Sequence, residues 1–78
     1  MSASVSEVLE TAIRTLHSML DRRNGQFRLG TTPVKLGEVT ISITVRSHVD
    51  WPTAARELYR QLERQKGSLD VVVILPEA

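Results

Sequence analysis

The stretch VTISITVRSHVDWPTAARELYRQLERQKGSLDVVVIL, residues 39–75, decides the fold. Val39, Ile41, Ile43 and Val45 alternate with Thr40, Ser42, Thr44 and Arg46. Strand side chains point to opposite faces at each step, so this segment is a strand with one apolar and one polar face. Asp50 then offers an N-cap, and Pro52 fits a first helical turn, where its missing N–H is not needed. Trp51, Ala55, Leu58, Tyr59 and Leu62 recur on one arc, with Arg56, Arg60 and Arg64 opposite and Glu57 and Glu63 beside them. That pattern predicts an amphipathic helix over about 51–66. Gly67 ends it, and the run Val71–Leu75 predicts a strand over 69–75 before Pro76 blocks further pairing. The connection is long enough for a crossover, so the two strands are expected to lie parallel, with the helix between them in sequence.

Upstream, Val5, Val8, Leu9, Ala12, Ile13, Leu16, Met19 and Leu20 repeat at the spacing of one helical face. Ser4 and Glu7 form a capping-box pattern at the start, and Glu10 and Arg14 are placed for an i,i+4 ion pair. Asn24 and Gly25 tolerate positive φ, so the helix is predicted over 4–23. Gln26–Leu29 alternates and reads as a short strand, followed by a turn or loop at Gly30–Pro33. Val34 and Leu36 are out of phase with Val39, Ile41, Ile43 and Val45, so Gly37 and Glu38 must absorb a shift as a bulge or as a two-residue turn. We expect a bulge or loop, with 26–29 pairing to a strand over 38–46.

These elements predict a single α+β domain over 1–78 in the order α-β-β-α-β. It is two-layered, with two helices on one face of a three-stranded mixed sheet. Seventy-eight residues without cysteine have neither disulfides nor thiolate ligands to supplement a small core. At this size oligomerisation is a common source of further stability. Apolar residues at 41% and charged residues at 24% are those of an ordinary globular domain. Residues 1–6 lack the basic-then-apolar pattern of a secretory leader, and no run is long enough to span a bilayer, so a cytoplasmic protein is expected.

The chemistry-bearing residues do not assemble into a catalytic pattern. Ser47, His48 and Asp50 are the residue types of a hydrolytic triad, but neighbours in one short loop rarely converge with the required geometry, and Asp50 is better used as a helix cap. His17 and His48 have no companion ligands at metal-binding spacing, and the glycines match neither a phosphate loop nor a dinucleotide fingerprint. The expectation is a non-enzymatic protein with no cofactor, no metal and no small-molecule substrate.

Two interaction surfaces remain. Arg28, Thr40, Ser42, Thr44 and Arg46 are expected on the polar face of the sheet, where they would contact phosphates if the protein bound nucleic acid. A formal net charge of +1 supplies little long-range attraction, and Phe27, Trp51 and Tyr59 are all assigned to the core rather than to a base-stacking platform. The Arg56, Arg60, Arg64 stripe is interrupted by glutamates and reads as a solvated helix face.

The last strand is different, because it is apolar at every position from Val71 to Leu75. If Val71, Val73 and Leu75 face the helices, Val72 and Ile74 face outward beside Asp70. Two branched apolar side chains left exposed near a sheet edge invite a partner. The expectation is a small protein-protein interaction module, probing a partner or a second copy through Val72 and Ile74. Such a module would be an adaptor, or an inhibitor of the compact phage or mobile-element type. The alternative is a nucleic-acid-binding module using the Arg/Thr/Ser face.

Overall fold

The protein is described by a computed structural model over residues 4–65 and 70–75. In chain order the elements are α1 (Val5–Ser18), β1 (Leu20–Asp21), β2 (Gln26–Phe27), β3 (Gly30–Leu36), β4 (Val39–Val45), α2 (Trp51–Arg64) and β5 (Asp70–Leu75). The main sheet has the order β3-β4-β5, with β3 antiparallel and β5 parallel to the central β4. This is the expected α+β fold with a three-stranded mixed sheet. A two-stranded antiparallel ribbon of β1 and β2 is added to it.

The alternation of β4 sets the layers. Val39, Ile41, Ile43 and Val45 are all buried, whereas Thr40, Ser42 and Thr44 are only partly so. The apolar face carries Val71, Val73 and Leu75 from β5 and packs against Ala12, Leu16, Ala54 and Leu58 of the two helices. α1 lies against β3 and β4, α2 against β5, and the helices touch one another. Both helix starts use the side chains the sequence offers: Ser4 Oγ accepts from the Glu7 N–H at 3.2 Å, and Asp50 Oδ1 accepts from the Thr53 N–H at 2.8 Å. The Glu10–Arg14 pair forms at 2.7 Å.

Several expectations are corrected. The helix expected over 4–23 ends at Ser18, where the Ser18 hydroxyl donates to the Thr15 carbonyl and competes with the helical ladder. The chain then folds back as a hairpin. The Arg23 N–H bonds to the Asp21 carboxylate, the Gln26 N–H bonds to the Asn24 side-chain oxygen, and Gly25 takes φ 67°. Consequently 26–29 does not pair with β4. Gln26–Phe27 pairs with Leu20–Asp21, and the Arg28 N–H bonds to the Met19 carbonyl at 2.8 Å.

The strand beside β4 is instead β3, which takes in the expected turn or loop at Gly30–Pro33, and the shift at Gly37 and Glu38 is the two-residue turn rather than a bulge or loop. Gly37 has φ 61° and no non-glycine residue among those described has positive φ, which is the arrangement of a II′ hairpin turn. Finally, Tyr59 leaves the core arc and is 50% exposed, whereas Ala54 is fully buried. The last strand begins at Asp70 among the described residues, and the expected ends at Lys66 and Leu69 fall outside them.

The core makes a quantitative expectation. Ile43 is fully buried on the central strand, so Ile43→Ala should lower unfolding stability by about 2–5 kcal/mol in urea denaturation. Val72→Ala, on the opposite face, should cost less than about 1 kcal/mol.

Candidate functional site

Because directly paired residues share a face, the strand register places nine side chains on the side of the sheet away from the helices. They form three rows: Lys35–Thr40–Asp70, Pro33–Ser42–Val72 and Thr31–Thr44–Ile74. Among the described residues no element packs over this face. Val72 and Ile74 retain 46% and 39% exposure and are neighbours on one strand. The other large exposed apolar side chains, Val5, Leu29 and Tyr59, belong to α1, the segment before β3 and α2. The Thr31 and Thr44 hydroxyls bond to each other at 2.8 Å, which ties the β3 and β4 sides of the face together.

Thr40, Ser42, Thr44, Val72 and Ile74 therefore lie on this one face. Arg28 does not join them. It belongs to the segment after β2, where its guanidinium donates to the Ser18 carbonyl at 3.0 Å and so meets the negative end of α1. Its place beside β4 is taken by Thr31, Pro33 and Lys35 of β3. Arg46 is exposed just beyond the end of β4.

The edges of the sheet are handled differently from its face. The outer edge of β5 is covered by two carboxamides placed one helical turn apart, Gln61 of α2 and Gln65 at its C-cap. Gln61 accepts from the Ile74 N–H at 2.9 Å and donates to the Ile74 carbonyl at 2.6 Å. Gln65 accepts from the Val72 N–H at 2.8 Å and donates to the Val72 carbonyl. Each side chain thus presents one donor and one acceptor to the strand, as the peptide group of a further strand would.

The other edge is β3. The residues flanking a two-residue turn form a hydrogen-bonded pair, so Leu36, Val34 and Thr32 bond inward and Lys35, Pro33 and Thr31 turn their backbone groups outward. Pro33 lies at the middle of that outward row and has no N–H to offer. Sequence reasoning missed both devices. The i,i+4 spacing of Gln61 and Gln65 is visible in the sequence, but their target on β5 is set by tertiary packing.

The remaining candidates have local roles. Arg60 pairs with Glu57, which also accepts from Gln61 at 2.9 Å. The Arg60 bond, followed by that of Gln61, holds the Glu57 carboxyl below its ordinary value. Arg56 and Arg64 are exposed on the same helix. The His17 ring lies 4.3 Å from that of Trp51, which in turn stacks on the buried Phe27 at 6.0 Å. His48 is exposed. Among the described residues no three His, Cys, Asp or Glu side chains are grouped to hold a metal ion, and no helix is long and apolar enough to cross a membrane.

Asp50 is committed to capping α2. The Thr53 backbone N–H, assisted by the Thr53 side chain, holds its carboxyl below the ordinary 3.8. A carboxyl lowered in the folded state stabilises that state above its unfolded pKa, and the contribution disappears as pH falls through the folded value. Thermal melts should therefore show Asp50→Ala less stable than wild type at pH 7, with the gap closing below pH 3.8. For the β5 edge, replacing both Gln61 and Gln65 by Ala should speed amide hydrogen exchange at Val72 and Ile74 by about fivefold, each lost bond being worth about 1 kcal/mol. Amides of β4 serve as the internal reference and should not change.

Comparison of this chain with protein-family models, with curated proteins and with solved structures finds no match.

Proposed function

We propose that the protein is a protein-protein interaction module that docks through the open face of its sheet, with Val72 and Ile74 as the apolar contact. The observation supporting this reading is the contrast between edges and face. Glutamine carboxamides and a proline occupy the hydrogen-bonding edges, while two branched apolar side chains stay exposed on the adjoining face. Edge blocking of this kind opposes addition of a strand, and the partner is then met by side chains rather than by backbone.

The face is chemically suited to a protein surface. It has an apolar strip along β5, a central row of hydroxyls along β4, and one charge of each sign at Lys35 and Asp70. Nucleic acid is a poorer fit. Arg28 is directed to α1, Asp70 adds negative charge, and none of the nine residues is aromatic, so neither phosphate attraction nor base stacking has a strong anchor there. An adaptor or an inhibitor that covers part of a larger partner agrees with this chemistry. No catalytic role is assigned to any residue.

Val72→Lys tests the reading, since an exposed strand position tolerates lysine without a cavity. Proteins captured from the native host by the wild type should be retained by Arg56→Glu and lost by Val72→Lys, with circular dichroism confirming that both variants fold. Capture unaffected by Val72→Lys would sink the proposal. So would heparin or DNA retention that survives above about 100 mM salt and is lost in Lys35→Glu, because phosphate contacts give such salt-dependent binding.

A further inference from the structure

The hairpin that follows α1 collects positive charge in one place. Ser18 ends α1, Asp21 ends β1, Arg22 and Arg23 open the turn, and Arg28 follows β2. The reversal at Asn24 and Gly25 brings Arg28 back beside the end of the helix, where its N–H bonds to the Met19 carbonyl at 2.8 Å. Ser18, Leu20, Asp21, Arg22, Arg23 and Arg28 together line an open depression of about 350 Å³. Three arginines and one aspartate give this lining a formal charge of +2, against +1 for the whole chain.

Local bonds decide which of these groups can meet a ligand. One nitrogen of the Arg28 guanidinium donates to the Ser18 carbonyl at 3.0 Å. That bond answers the negative end of α1 and fixes the guanidinium, and it leaves the other N–H groups of the fork unspent. Asp21 accepts from the Arg23 backbone N–H at 2.9 Å, a bond that does not engage the Arg23 side chain. Among the described residues, no hydrogen bond or ion pair holds the side chain of Arg22 or Arg23, whereas Arg14 and Arg60 pair with glutamates of their own helices. Like charges gathered around one depression repel one another, and an anion seated among them relieves that repulsion.

We propose that this depression binds a phosphate dianion, free or as the head of a small phosphate monoester. A phosphate monoester carries about −1.5 to −2 at pH 7, which matches the charge of the lining, and its three oxygens suit the paired N–H groups of guanidinium. A carboxylate, with one charge and two oxygens, answers fewer of these donors. The volume lies at the lower end of the roughly 300–1,000 Å³ of ligand pockets, so the ligand is small. Leu20 supplies the apolar part of the wall, against which the carbon atoms of an ester would rest. None of the six lining residues belongs to the open sheet face, so the proposal is independent of the docking reading. All three arginines are exposed, and water weakens each contact, so the dissociation constant is on the order of 1 mM.

Backbone amide chemical shifts, followed at constant ionic strength as inorganic phosphate or O-phosphoserine is added to about 20 mM, test it. Amides of residues 20–28 should move along a saturable curve with both probes, and serine or acetate should leave them unmoved. Arg22→Gln and Arg23→Gln should each weaken binding by about fivefold, with circular dichroism confirming the fold. Asp21→Asn keeps an oxygen for the Arg23 N–H but removes the negative charge, and should tighten binding by about threefold. Lys35→Gln, on the sheet, should bind as the wild type does. Tighter binding of O-phosphoserine than of phosphate assigns the site to an ester, and equal binding assigns it to phosphate itself. Shifts that fail to saturate, binding unchanged in both arginine variants, or weaker binding by Asp21→Asn overturns the proposal. So does dimethyl phosphate binding as tightly as phosphate, because a singly charged diester is the chemistry of a nucleic-acid backbone.

Discussion

The structure depends on the central position of β4, which has hydrogen-bonded neighbours on both sides and one wholly buried face. Ile41 and Ile43 have no exposure, and both helices are needed to cover the face they share with Val71, Val73 and Leu75. Since the period of a strand is two, burying that face commits every intervening residue of the three strands to the other side. The open face is therefore the geometric consequence of the core, and its composition follows from which residues happen to alternate with the buried ones. Thr40, Ser42 and Thr44 suit solvent. Val72 and Ile74 do not.

Much of this was legible because it is periodic. The β4–α2–β5 unit announces itself through strict alternation, then a capped helix containing proline in its first turn, then an apolar run between stop signals. The parallel pairing follows from the length of the connection. The hairpin was legible in principle but open to misreading. In a two-residue turn the partners Leu36 and Val39 are three residues apart, so one strand buries even positions and the other odd ones. The phase change between Val34, Leu36 and Val39, Ile41 is the signature of such a turn, and a bulge gives the same change of parity along one strand. Pro33 then argued against a strand, although a proline is harmless where its nitrogen faces outward from an edge.

Other features were set by interactions that periodicity does not encode. Met19 and Leu20 continue the apolar spacing of α1 because they too pack against the core, yet the backbone has already left the helix at Ser18. Burial and helicity parted there because Asp21 and Asn24 make short-range bonds that a hairpin satisfies and a helix does not. Tyr59 was placed inside by its arc on a helical wheel. The fully buried residues of α2 are Ala54 and Leu58 instead.

The glutamines give the outward backbone groups of β5 their hydrogen-bond partners at the sheet edge beside α2. Carboxamides answer both polarities at once, which a carboxylate or an ammonium does not. Gln61 and Gln65 therefore fix the height of α2 along β5 as well as closing its edge. By anchoring the backbone of the same two residues whose side chains are exposed, they also hold Val72 and Ile74 in one orientation. A rigid apolar strip loses less conformational freedom on association than a mobile one, so the bonds that close the edge would also favour the proposed docking on the face.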